Sequence, residues 1–293
     1  MSDCNSFYFK RYCFILGLQT LRMKNRFGIE NKVAIITGAS GSLAGSVAKS
    51  FAQAGVKLVL LSRKTSSLNE LLSEIESIGG HAKAYEADIL DETSLNITKN
   101  KIIDDFGKID ILLNIAGGNL PGATVPLCKT LFDLSMDGFK KVTDLNLNGT
   151  VIPSLVFGKT MAEQKEGVIL NYSSMAVDRA ITRVAGYSAS KAAMENFTRW
   201  MAVEIALKFG EGIRVNAIAP GFFIGKQNKA LLTNEDGSYT ERAENIIKNT
   251  PMARFGDISE LSGAIHFLCS DAAKFITGAV IPVDGGFSAF SGV

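Results

Sequence analysis

Tyr187 and Lys191, four apart in the run Tyr187-Ser-Ala-Ser-Lys191, carry the clearest chemical possibility in this chain. On a helix that spacing puts both side chains on one face, one turn from each other. A nearby ammonium favours the phenolate, which brings the tyrosine hydroxyl into use as an acid or base. Taken alone such a pair is an ordinary surface combination, so its surroundings decide. Ser174 stands just past an apolar run, Val168–Tyr172, where its hydroxyl can donate to a substrate oxygen from the end of a rigid strand. Asn146 falls in a long helical pattern and Asn114 closes another apolar run.

These residues need a scaffold, and the hydrophobic pattern predicts one. Short apolar runs predict strands at Val33–Ile36, Leu58–Leu61, Ala82–Ala87, Ile109–Leu113, Val168–Tyr172, Arg214–Ala219 and Val280–Val283. Helical patterns separate them near Ser67–Ile78, Leu95–Phe106, Met136–Gln164, Tyr187–Phe209 and Ile258–Ser270, and Val47, Ala48, Phe51 and Ala52 share one face of an earlier helix. Asp257, with Glu260 three residues later, reads as a capping box opening the last of these helices. Strands that are continuously apolar belong to a parallel sheet covered on both faces. The expectation is an α/β fold: a single doubly wound, Rossmann-type domain over residues 28–293 with a seven-stranded parallel sheet. Ligands then sit beyond the strands' carboxyl ends.

The turn Thr37-Gly-Ala-Ser-Gly-Ser-Leu-Ala-Gly45 joins the first strand to the first helix, where main-chain N–H groups can approach a dinucleotide pyrophosphate. Gly38, Ser40, Gly41, Ser42 and Leu43 are the candidate contacts there. The second strand runs into Ser62-Arg63-Lys64, with no acid to hold ribose hydroxyls. Arg63 can grip a 2′-phosphate in bidentate fashion, which favours NADP(H) over NAD(H). The alternative is a pair of solvated loop charges.

Composition excludes several classes. Apolar residues make up 46% of the chain and charged residues 20%, enough for a packed core and unlike a disordered chain. A net charge of +2 predicts no strong attraction to nucleic acid or anionic membrane. Cys4, Cys13, Cys128 and Cys269 are scattered and His81 and His266 have no ligand at metal spacing, so no metal is expected and a cytoplasmic location is. Residues 1–27, rich in Phe, Tyr, Lys and Arg, lack the regular alternation of the rest of the chain. They read as an unstructured extension or as sequence upstream of a natural start at Met23, with a targeting peptide as the third possibility.

From about Lys32 onward the chain resembles the short-chain dehydrogenase/reductase family. The resemblance rests on Thr37–Gly45, Asp88, Asn114-Ile-Ala-Gly117, Asn146, Ser173-Ser174, Tyr187–Lys191, Asn216-Ala-Ile-Ala-Pro-Gly221 and Val283-Asp-Gly-Gly286. It implies an NAD(P)-dependent oxidoreductase with Asn146, Ser174, Tyr187 and Lys191 as catalytic tetrad. Tyr187 would exchange the proton, Ser174 polarise the carbonyl, Lys191 also bind the nicotinamide ribose, and Asn146 hold a water in the proton relay. By the same resemblance Asp88 and Ile89 flank the adenine. Asn114, Ala116 and Gly117 line the cofactor groove, with Pro220, Gly221 and Phe223 beside them. A homotetramer is implied, and the terminal Phe287–Val293 segment could reach a neighbour's site. Two departures stand out: Ser42 and Ala44 replace the last two glycines of the family's turn, and Gly225 replaces a cofactor-binding threonine.

Four stretches are similar to one branch of that family, the D-mannonate oxidoreductases or fructuronate reductases. They are Ala116–Thr124, Pro220–Phe223 with Gln227-Asn228 and Leu231-Leu232, Thr250–Gly256 and Asp284–Val293. A sugar acid needs a cation for its carboxylate and polar groups for its hydroxyls. Arg179 and Arg183, between Ser174 and Tyr187, offer the first, although each is as well suited to a surface or subunit contact. Asn119, Gln227 and Asn228 offer the second. Another keto-sugar acid or a 3-oxoacyl substrate remains open, as does a catalytically silent dinucleotide-binding regulator.

Overall fold

A computed structural model describes residues 26–225 and 228–292. All but Arg26 and Phe27 of the expected extension, and also Gln227, lie outside them. The ring of Phe27, exposed for the most part, lies 6.3 Å from that of Phe267.

The strands are β1 (Val33–Ile36), β2 (Lys57–Ser62), β3 (His81–Glu86), β4 (Ile111–Asn114), β5 (Gly167–Tyr172), β6 (Ile213–Pro220) and β7 (Val280–Val283). They form one sheet in the order β3-β2-β1-β4-β5-β6-β7, every pairing parallel. Successive strand residues face opposite sides, and both sides are buried along β1, β2, β4, β5 and β6, while the edge strands β3 and β7 are only partly covered. Ala34, Ile36, Leu58 and Leu60 pack into one core. Val33, Ile35, Val59 and Leu61 pack into the other.

The helices are α1 (Ser42–Gln53), α2 (Asn69–Ser77), α3 (Glu92–Phe106), α4 (Met136–Thr143), α5 (Gly149–Gln164), α6 (Ala185–Phe209), α7 (Lys229–Leu232), α8 (Glu241–Lys248) and α9 (Leu261–Cys269). Phe51 of α1 and Ile265 of α9 cover the first face, while Ile102 of α3, Phe157 of α5 and Met201 of α6 cover the second. Asp257 and Glu260 form the expected capping box, which opens a short 3-10 turn leading into α9.

One expected element differs. The pattern Met136–Gln164 is not a single helix: α4 and α5 are joined by a π-helical segment, Asp144–Asn148. The wider turn carries Asn146, which is fully buried. Its amide Nδ2 donates both to Val142 O at 2.8 Å and to Gly118 O at 2.8 Å, so the widened turn is tied to the loop after β4.

Candidate active site

Strand order reverses between β1 and β4, which opens a crevice beyond their carboxyl ends. The loops after those two strands meet there. Thr37 Oγ1 accepts from Ile115 N and Ala116 N, each at 3.1 Å. Gly38 has φ +63, and an ideal Cβ on it would lie 2.7 Å from Ala116 Cα, so only glycine fits both the turn and the contact. Gly41 occupies the N-cap of α1, and no side chain among the described residues makes a capping bond there, the arrangement by which a helix start can meet an anion. Ser40 is exposed at this turn, while Ser42 and Leu43 are half-buried.

At the other side of the crevice, Gly117 closes against the candidate catalytic residues. An ideal Cβ there would sit 2.7 Å from Asn146 Oδ1 and 3.4 Å from Lys191 Nζ. Asn146 Oδ1 accepts from Gly118 N at 2.9 Å. The loop after β4, the π segment and α6 therefore converge on one point.

Lys191 is 4% exposed and donates from Nζ to Tyr172 O at 2.6 Å, at the last residue of β5. Burial pulls its ammonium down to about 8. Its Nζ lies 5.8 Å from the centre of the Tyr187 ring. Burial pushes the Tyr187 phenol above its ordinary value, while a hydrogen bond from Ser174 acts in the opposite sense. Ser174 Oγ also accepts from Ala176 N at 3.2 Å, which fixes the hydroxyl at the end of β5. The site thus holds a half-buried phenol, a hydroxyl donor and a buried cation close to the phenol ring.

The remaining sequence candidates divide. Asn114 is 1% exposed, and its Nδ2 donates to Ser154 Oγ and Asn171 Oδ1, both at 2.9 Å. It braces β4 against α5 and β5. Arg63 is exposed at the end of β2 and makes no ion pair among the described residues. Asp88 is exposed with Oδ1 accepting from Leu90 N at 3.0 Å, and Ile89 is buried beside it. Pro220 ends β6, Gly221 lies against Asp284, and Phe223 bridges to Gly256.

Of the substrate candidates, Asn119 is exposed with Nδ2 donating to Thr124 Oγ1 at 2.5 Å. Asn228 is turned inward, accepting from Gly225 N at 2.8 Å and donating to Phe223 O at 2.8 Å. Arg179 donates to the carbonyls of Ser288 and Phe290. Arg183 donates from Nε to Val125 O at 2.6 Å.

Sequence reasoning passes over Glu195, which is 3% exposed. It accepts from Ser173 Oγ at 2.5 Å and pairs with Arg199 at 3.0 Å. A signal for it exists, since Tyr187, Lys191 and Glu195 repeat at helical spacing along one face.

A phenol poised beside a hydroxyl and an ammonium, facing a crevice that fits a dinucleotide, belongs to an oxidoreductase acting on CH–OH groups. The chain is a member of the short-chain dehydrogenase/reductase family. The family model described as enoyl-(acyl carrier protein) reductase matches residues 38–288. An uncharacterized oxidoreductase of Haemophilus influenzae is 42% identical over 285 residues, 94% of this chain and 99% of that one. A solved structure named as a candidate D-mannonate oxidoreductase from Haemophilus influenzae, with bound NAD, is 43% identical with a TM-score of 0.85. It covers 91% of this chain and 98% of its own. A candidate NAD(P)-dependent gluconate 5-dehydrogenase from Beutenbergia cavernae, with NADP at low occupancy, is 30% identical with a TM-score of 0.80. That match covers 90% of this chain and 100% of its own.

Proposed function

We propose that this chain interconverts D-fructuronate and D-mannonate, using NADP(H). The observation that carries the substrate is the 43% identity and TM-score of 0.85 to the candidate D-mannonate oxidoreductase over nearly the whole of both chains. A bound nicotinamide dinucleotide supplies the hydride donor or acceptor. The chain's own residues handle the proton and the position of the substrate. Ser174 donates to the ketone oxygen, Tyr187 gives that oxygen its proton in reduction and takes it back in oxidation, and Lys191 holds the charge that makes the exchange feasible. Asn146 keeps the loop at Gly118 closed against them.

Arg183 is the cation assigned to the sugar-acid carboxylate. Among the described residues only its Nε has a protein partner, so the two terminal nitrogens remain for a ligand. Its backbone supports the same reading. Arg183 has φ 74, uncommon for a residue with a side chain, and Val125 N donates to its carbonyl at 3.0 Å to hold it so.

The preference for NADP(H) rests on Arg63 and Lys64, both exposed at the end of β2 with no ion pair among the described residues. The Haemophilus influenzae relative with bound NAD favours the second reading, NAD(H). The family's tetramer is part of the proposal. Leu155 on α5 and Trp200, Val203 and Leu207 on α6 leave apolar surface at 53%, 54%, 57% and 77% exposure, where copies can meet.

Absorbance at 340 nm with purified protein, D-fructuronate and either NADH or NADPH tests substrate and cofactor together. Rapid oxidation of NADPH supports the proposal. Absence of turnover in a folded protein that binds dinucleotide discards the substrate, and other keto-sugar acids are then the next to try.

A further inference from the structure

Three neighbouring strands end at the catalytic face, and one segment ties all three together. Ser174 and Arg179 come after β5, Phe222 after β6, and Asp284 after β7. Beyond β7 the chain turns back over the carboxyl ends of its neighbours. Asp284 Oδ1 accepts from Gly286 N at 2.9 Å and its Oδ2 from Ser288 N at 2.7 Å, which winds residues 284–288 into a compact turn. Phe287 packs edge-on against Phe222, ring centres 5.1 Å apart, as the segment crosses β6. It then reaches the turn after β5. There Arg179 donates from Nε to Ser288 O at 3.0 Å, and from Nη2 to Ser288 O at 2.7 Å and Phe290 O at 2.6 Å.

That turn is the one that fixes Ser174. Val177 N donates to Ser174 O at 3.1 Å, and Arg179 N donates to Met175 O at 3.0 Å. The C-terminal segment is thereby bolted to the piece of chain that presents a catalytic hydroxyl. Its register is set by a guanidinium that grips two carbonyls in fork geometry, which an ammonium cannot reproduce.

We propose that Arg179 is a positioning residue for substrate, acting through the C-terminal segment. It holds residues 284–290 as a wall of the substrate cleft beside Ser174, and does not itself meet the substrate carboxylate. The inference goes beyond the proposed function and rests on the oxidoreductase site, not on the identity of the sugar acid.

The test compares Arg179→Gln, Arg179→Lys and a chain ending at Phe287, all in the full protein otherwise. Amide hydrogen exchange across residues 286–292 is measured with NADPH alone. It should quicken in Arg179→Gln and in Arg179→Lys, with the exchange of β4 and β5 unchanged. NADPH affinity should stay within roughly twofold of wild type, because the dinucleotide crevice lies between β1 and β4. With D-fructuronate, Arg179→Gln and the shortened chain should each raise KM roughly tenfold with a smaller fall in kcat. Combining them should raise KM no further, since both remove one contact.

Multiplicative effects in the combined variant would overturn the proposal. So would a KM increase in Arg179→Gln with unchanged tail exchange and a silent truncation, which is the signature of an arginine that binds substrate directly. If D-fructuronate is not turned over, the substrate reading fails on its own. The exchange comparison then still decides whether Arg179 holds the segment, and unchanged exchange sinks the inference.

Discussion

Gly225 faces Ser42 across the crevice: an ideal Cβ on Gly225 would lie 3.3 Å from both Cβ and Oγ of Ser42. The two places where this chain departs from its family's cofactor pattern are therefore in contact with each other. A side chain has been gained on the turn at the start of α1 and lost on the loop after β6. Space explains the pairing. A β-branched residue at 225 crowds Ser42. Gly225→Thr should weaken dinucleotide binding by roughly tenfold, about 1.4 kcal/mol, as overpacking in a fitted contact does. Adding Ser42→Gly should restore most of it. Dissociation constants from fluorescence titration of all four chains give the coupling, and strictly additive losses would show that the two positions are independent.

Tyr187→Phe keeps the ring and removes the only atom that can exchange the proton. Turnover should fall by at least about 10²-fold, the usual contribution of a positioned acid or base. Dinucleotide affinity should be nearly unchanged. Stopped-flow absorbance at 340 nm, together with the binding titration, separates the two. A variant with near-normal kcat would rule out Tyr187 as the proton donor.

The parts of this site that are legible in the sequence are those whose chemistry is local. Strands buried on both faces (β1, β2, β4, β5 and β6) read as apolar runs, and the partly exposed edge strands β3 and β7 also appear at their places, with ends shifted by a few residues. The Tyr187–Lys191 pair and the turn at Gly38 are short-range patterns with a physical meaning at their own spacing. The π segment at Asp144–Asn148 is not legible, because an extra residue in a helical turn leaves no mark on composition. Helix α8 escapes for another reason: it buries only Ala243 and Ile246, too narrow a face to register as a period. The bond from Arg179 to Ser288 is not legible either, because its partner stands 109 residues away and no local pattern announces a carbonyl at that distance.

Lys191 makes stability depend on pH in a defined direction. Its folded value is about 8 against an ordinary 10.5. Below pH 8 both folded and unfolded chains carry the charge, and the folded chain bears the full cost of burying it. Between 8 and 10.5 the unfolded chain keeps a proton that the folded chain has released, so stability attributable to Lys191 rises with pH. The rise amounts to about 3 kcal/mol across the window. Cys269, pushed up to about 12 by burial, opposes it above its ordinary 9.0, so the wild type alone is not diagnostic. The difference between wild type and Lys191→Met isolates the effect. Urea denaturation at steps from pH 7 to 10 should show the wild type gaining on the variant as pH rises, and a constant difference would contradict the burial of a charged Lys191.

Arg63→Ala tests the cofactor reading. A guanidinium on a 2′-phosphate contributes a charge-assisted, bidentate contact, so its loss should weaken NADPH by roughly 10- to 100-fold. NADH, which lacks that phosphate, should bind the variant within about twofold of wild type. Isothermal titration with each dinucleotide reads both values. Equal losses for the two would assign Arg63 to the pyrophosphate or to the fold instead.

Arg183 presents the sharpest contrast with Arg179, because the two arginines sit on the same stretch between Ser174 and Tyr187 and are proposed to do different things. Arg183→Gln keeps a hydrogen-bond donor near Val125 but removes the charge, so KM for D-fructuronate should rise by roughly 10- to 100-fold. A neutral keto-sugar of the same length should lose little. Since Val125 N also donates to the Arg183 carbonyl, the main-chain bond persists in the variant and the loop should stay in place. Steady-state kinetics on the acid and on its neutral analogue decide the matter. A parallel loss on both substrates would mean that Arg183 shapes the loop and that the carboxylate is held elsewhere.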